Sequence, residues 1–139
     1  LLVQILEKSG FVPELSPYLY GDENGMVGTA RERAQALMNF YRDDSVEEIF
    51  DVSGGDLANE ILPYLDFQTI AYGKKHFWGY SDLTTVLNAI YARTGKFSVL
   101  YQVRNLTGRR TGDLSLFSAH SGADYGFSGD CAWRKLCPL

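Results

Sequence analysis

Ser81 stands in the run His76-Phe77-Trp78-Gly79-Tyr80-Ser81-Asp82-Leu83, whose residue types and spacing could support acyl transfer. The aromatic residues read as a short buried strand, Gly79 permits a sharp turn, and a helix begins near Leu83. A serine on such a strand-to-helix turn has its hydroxyl lifted above the end of a sheet, with helix-start amides behind it. Those amides can receive the negative charge that develops on an attacked carbonyl oxygen. A plainer reading is a helix cap, since Ser and Asp commonly accept from the orphan N–H groups of a helix start. Leu83 also replaces the second glycine of the usual G-x-S-x-G elbow.

Gly54-Gly55 is the second feature with chemical potential. Two glycines between a strand and a helix let bare backbone N–H groups face a ligand, because no Cβ intervenes. Its plainer reading is a tight turn with no ligand. Neither G-x-G-x-x-G nor G-x-x-x-x-G-K-[ST] occurs, so this is not a phosphate-binding loop. The sequence has two histidines and two cysteines. His76 opens the strand that leads to Ser81, too far back along it for a hydrogen bond. His120 lies in a segment without periodicity. Cys131 and Cys137 are too few for a disulfide framework and lack zinc spacing, so they read as reduced cysteines of a cytoplasmic protein.

Positioning these residues requires an alternation of helices and strands. Leu2, Leu6 and Ile5 make the apolar side of a first helix ending at Ser9-Gly10. Phe11 to Leu15 follows as an edge strand, because Pro13 lacks a ladder donor. Thr29 and Glu32 form a capping box for a helix whose apolar face is Ala30, Ala34, Leu37, Met38 and Tyr41. Ser45 and Glu48 suggest a second box for a single-turn helix. Ile49 to Val52 reads as a buried strand, Leu57 to Leu62 as a short helix stopped by Pro63, and Asp66 as the cap of another. Leu83, Val86, Leu87, Ile90 and Tyr91 mark the clearest helix, ended by Gly95, and Phe97 to Tyr101 is a further strand. The expected fold is α/β, a parallel sheet with helices on both faces. Ligands in such sheets bind beyond the carboxyl ends of the strands, where Gly54-Gly55 and Ser81 both lie.

Bulk properties agree with one domain holding a real core. The 139 residues are 45% hydrophobic and 22% charged, which excludes a disordered chain. A net charge of -4 argues against a nucleic-acid binder. There is no apolar run long enough to span a bilayer and no signal-peptide pattern. Leu1 to Leu6 already reads as the inside of a helix, so the sequence reads as a piece of something longer.

Three blocks occur in order: Gly28-Thr29-Ala30-Arg31-Glu32-Arg33-Ala34, Phe50-Asp51-Val52-Ser53-Gly54-Gly55-Asp56 and Gly79-Tyr80-Ser81-Asp82-Leu83-Thr84. With Ile61-Leu62-Pro63-Tyr64-Leu65-Asp66 between them, residues 1–106 resemble the LD-carboxypeptidases, the serine peptidase family that includes the microcin C immunity protein MccF. The resemblance implies a flavodoxin-like open parallel sheet in the N-terminal domain of a two-domain enzyme. The family's first strand and its C-terminal domain are missing from this sequence. It implies that Ser81 is the nucleophile, with the backbone N–H of Asp82 and one from Gly54 or Gly55 holding the oxyanion. It implies a peptide or aminoacyl-nucleotide substrate: a muropeptide trimmed at an L–D bond, or an antibiotic of the microcin C type. It further implies no metal or organic cofactor, a cytoplasmic location and pairing with a second copy.

The family's Glu and His come from its C-terminal domain, and a serine without a base is a poor nucleophile. The chain is therefore expected to be inactive alone. Residues 107–139 match nothing in the family and read as a disordered or aberrant tail, such as a shifted reading frame produces. The alternative from another class is a non-catalytic α/β module that binds a ligand or partner through the same two loops.

Overall fold

The computed structural model describes residues 1–20, 27–52, 56–107 and 134–136. Helix α1 (Leu2–Lys8) is closed by the Ser9 hydroxyl donating to Ile5 O and by Gly10, whose φ of 87° suits a residue without Cβ. Strand β1 (Phe11–Pro13) follows. Helix α2 (Ala30–Arg42) starts at the expected capping box. The Glu32 N–H donates to Thr29 Oγ1 (3.3 Å) and the Thr29 N–H donates to Glu32 Oε2 (2.8 Å). Strand β2 (Glu48–Phe50) leads to a 3-10 helix, Ala58–Tyr64, and then to α3 (Phe67–Tyr72), capped by Asp66. Strand β3 (His76–Gly79) passes through a 3-10 turn, Ser81–Leu83, into α4 (Thr84–Thr94). Gly95 closes α4 in the left-handed region. Strand β4 (Val99–Leu100), a 3-10 turn (Val103–Thr107) and strand β5 (Arg134–Leu136) complete the described elements.

The sheet is open and parallel. β3 lies between β2 and β4, with Ile49 opposite Phe77, Phe50 opposite Trp78, and Trp78 opposite Val99. β5 pairs in parallel with β1 and also lies against β2. Successive strand residues face opposite sides, and both sides are buried. Ile49 and Phe77 pack with α2, α3, α4 and the 58–64 helix. Phe50 and Trp78 pack with Leu6 of α1, Phe11, Val103 and Leu106, their own rings stacked at 5.0 Å. This is the two-sided burial that parallel strands require.

Three local expectations change. Glu48 opens β2 instead of closing a capping box, and the Ser45 hydroxyl donates to Asp43. Pro63 lies inside the 58–64 helix and does not stop it. The strand expected over 97–101 is paired only at Val99–Leu100.

Candidate functional site

The turn after β3 is shaped by one close approach. A Cβ on Gly79 would lie 2.8 Å from Leu83 Cβ and 3.3 Å from Leu83 Cγ, so only glycine lets the helix start fold back onto the strand end. The strand end is held on both sides: the Asp51 N–H donates to Trp78 O (2.8 Å) and the Tyr101 N–H to Gly79 O (2.9 Å). Between these anchors Ser81 takes a φ of 59°, and among the described residues no other non-glycine residue has a positive φ. A left-handed conformation costs an L-residue about 1–2 kcal/mol, and single strained residues of this kind cluster at active sites. Ser81 is exposed.

The helix start itself differs from its neighbours. Thr29 and Asp66 cap α2 and α3 with their side chains, whereas neither the Ser81–Leu83 turn nor α4 has a side-chain cap. The hydroxyls of Thr84 and Thr85 instead donate to the carbonyls of Ser81 (2.6 Å) and Asp82 (2.8 Å), stiffening the turn. The Asp82 carboxylate reaches outward to accept from the Ala58 N–H at 2.7 Å. That bond ties the elbow to the start of the 58–64 helix, three residues after Gly55. Gly54 and Gly55 themselves lie outside the described residues, as do His120, Cys131 and Cys137.

Ser81 opens onto a pocket of about 180 Å³ lined by Asp51, Val52, Tyr80, Ser81, Gln102, Val103 and Arg104. Every lining residue follows the carboxyl end of β2, β3 or β4, the crevice position expected for open parallel sheets. Asp51, Tyr80, Gln102 and Arg104 were not singled out from the sequence. The carboxyl-end rule points to each of them once the strand ends are placed.

His76 is at the opposite end of β3. Strands rise about 3.3 Å per residue, which puts it on the order of 15 Å of chain from Ser81. Its Nδ1 lies 3.3 Å from Glu48 Oε1, while Glu48 Oε2 accepts from Trp78 Nε1 at 2.7 Å. A larger pocket, about 280 Å³, opens at this end between Glu48, His76, Trp78 and residues 97–100. Nearby, buried Lys75 donates to Tyr41 O (2.9 Å) and Lys96 donates to the carbonyls of Gly73 and Ile70. Burial pushes both lysines below their ordinary pKa, and for Lys96 the charge of Lys75 adds to the effect. The structure therefore brings no imidazole to Ser81 among the described residues. Nor do three His, Cys, Asp or Glu side chains converge as a metal set among them.

Comparison with known proteins agrees with this arrangement. Residues 1–102 match the LD-carboxypeptidase N-terminal domain family. The microcin C7 self-immunity protein MccF of Escherichia coli is 34% identical over 93 residues, covering 67% of this chain and 27% of that protein. A Bacillus subtilis protein named "Probable murein peptide carboxypeptidase" is 34% identical over 90 residues, covering 65% of this chain and 28% of that one. The structure of MccF in complex with glutamyl sulfamoyl guanosine superposes with a TM-score of 0.75 at 27% identity, over 92% of this chain and 39% of that chain. The chain thus spans between about a quarter and two fifths of these relatives' length.

Proposed function

The chain belongs to the LD-carboxypeptidase family, and from that premise we propose that residues 1–106 are the nucleophile-bearing half of a serine hydrolase that cleaves an amide. The observation that carries the reading is the strained backbone of Ser81, φ 59°, on a glycine-dependent turn at the mouth of the carboxyl-end pocket. A side chain held there at a conformational cost, with no hydrogen-bond partner among the described residues, is placed for a ligand.

In this reading Ser81 Oγ attacks the amide carbonyl carbon as a base removes its proton. The carbonyl oxygen takes the negative charge and is held by the Asp82 N–H and one from Gly54 or Gly55. The tie from Asp82 to Ala58 keeps those two loops in register. Collapse of the tetrahedral intermediate expels the amine with a proton, and water then releases the acyl group from Ser81. The base comes from outside residues 1–106, because the described His–carboxylate pair, His76 with Glu48, stands at the other end of the sheet. This chain by itself is therefore expected not to turn substrate over. The substrates proposed are those named for the relatives' chemistry, a murein-type peptide or an aminoacyl nucleotide. The enzyme is proposed to act in the cytoplasm as a pair of copies.

The test is site-selective labelling by a neutral fluorophosphonate, mapped by mass spectrometry. Ser81 is expected to react faster than exposed Ser45, because oxyanion stabilisation survives when the base is missing. Equal reactivity of the two serines overturns the nucleophile assignment. A measurable turnover of an L–D tetrapeptide that disappears in Ser81→Ala would instead overturn the requirement for an outside base.

A further inference from the structure

Strand β4 is an open edge of the sheet: among the described residues it pairs with β3 alone. In an extended strand the N–H and C=O of one residue point to one side and those of the next to the other. Val99 stands opposite Trp78, and the Tyr101 N–H donates to Gly79 O at 2.9 Å, so these two residues face β3. Ser98 and Leu100 therefore turn their main-chain groups away from the sheet. Proteins commonly blunt such an edge with a charge or a proline, yet residues 97–101 read Phe-Ser-Val-Leu-Tyr and have neither. The side chains along the edge stand in water as well, Phe97 at 67% and Leu100 at 61% exposure. Tyr91 of α4 is exposed beside them and sets its ring against Phe97 at 5.4 Å, which widens the apolar patch.

We infer that β4 is the surface through which two copies of this chain pair, edge to edge and antiparallel, about a two-fold axis at Val99. The inference rests on the pairing of copies proposed above and names its surface. An axis perpendicular to the sheet at Val99 sets Ser98 of each copy opposite Leu100 of the other. Those become the hydrogen-bonded pairs of an antiparallel ladder, and the outward N–H and C=O groups of both copies are all used. A second copy suits this edge better than a free peptide. The ladder is short, since beyond Leu100 the chain turns back toward Gly79 and then into the Val103–Thr107 turn. A peptide would gain those few bonds and little else. Two-fold symmetry repeats every contact and brings a second Tyr91–Phe97 patch with the ladder. Charge agrees, because a neutral strand paired with itself lays no like charges opposite each other.

The test is sedimentation velocity of the full chain over a range of concentrations. Wild type is expected to dimerise reversibly. Leu100→Lys puts a charge on the exposed edge and is expected to raise the dimer dissociation constant by about ten-fold or more. Tyr20→Lys, at an exposed position in the loop after β1, is the control and should stay within about two-fold of wild type. Val99→Cys reads the register directly. Facing residues of a non-hydrogen-bonded antiparallel pair have Cα atoms about 4.5 Å apart, within disulfide reach. Mild oxidation and digestion should therefore yield a peptide joined to its own copy through position 99. A dimer that Leu100→Lys does not weaken, or one in which position 99 never links to itself, overturns the inference and leaves the pairing of copies standing. A wild type that stays monomeric throughout overturns both. Neither result depends on reaction at Ser81, so the hydrolase reading stands or falls separately on the labelling experiment.

Discussion

The two ends of the β2-β3-β4 sheet are made from the same three strands yet treat polar groups in opposite ways. At the amino end they engage one another. Glu48 accepts from Trp78 and lies against His76, Lys75 is buried against Tyr41 O, and Lys96 closes the last carbonyls of α3. Tyr41 is pushed well above its ordinary pKa by burial and then by the Glu48 charge, so it stays a neutral part of the packing. Of the buried side-chain polar atoms there, the Ser98 hydroxyl lacks a partner among the described residues. At the carboxyl end Ser81 is strained, its helix start has no side-chain cap among the described residues, and its pocket is lined by exposed Arg104. Cavity size alone would choose the amino end. Engagement chooses the other, because a carboxylate already holding an indole N–H has little left for a ligand.

The largest expected effect is at the boundary of the functional end. Gly79→Ala places a Cβ 2.8 Å from Leu83 Cβ, and the contact is between two groups that cannot rotate away. Overpacking of this kind costs about 1–3 kcal/mol, and here it also tilts the Ser81 turn. Urea melts should show a loss near 2 kcal/mol, on the order of the overpacking range, with slower labelling of Ser81. A variant that keeps both would mean that Gly79 does not shape the elbow.

Glu48→Leu is the matched change at the amino end. It leaves the Trp78 N–H without its 2.7 Å acceptor, at a cost of about 1–3 kcal/mol for an unpaired buried donor. Glu48→Gln keeps an oxygen acceptor and should lose about half as much. Both should leave Ser81 labelling at the wild-type rate. A coupled loss of labelling would erase the separation of the two ends. Ser81→Gly then reads the strain directly: it should be more stable than Ser81→Ala by about 1 kcal/mol, because glycine adopts a positive φ freely. Equal melts for the two variants would show that the turn stores no strain.

Much of this contrast was legible locally. The capping box at Thr29 and Glu32, the Asp66 cap, the Gly95 stop and the strand-to-helix turn at Ser81 all depend on neighbours within four residues, and each formed. What escaped depends on distant partners. Glu48 looked like half of a capping box because its real partner, Trp78, is thirty residues away on the adjacent strand. β5 carries two basic residues in three and pairs with a strand more than a hundred residues earlier, so no local period marks it. Arg104 escaped for a related reason: a lone arginine in a turn has no signal until the pocket is placed.

The smallest effect tests why Ser81's helix start should count as open at all. Asp66, unlike Ser81, closes its own helix. The Thr69 hydroxyl, the Thr69 and Gln68 N–H groups and Arg42 together hold its carboxyl below the ordinary value of 3.8. Because the folded pKa is depressed, the contribution of Asp66 to stability is present above about pH 4, the unfolded value. It is lost as pH falls through the folded value. Asp66→Asn keeps the capping oxygen and removes the charge, so wild type should melt slightly higher at about pH 6 and lose that advantage toward about pH 2. Ser81→Ala compared with wild type across the same range should show no acid-dependent difference, because no carboxylate caps that turn. If the Ser81 pair diverged with acid as the Asp66 pair does, a titrating cap would be at work on the elbow, and its amides would not be available to an oxyanion.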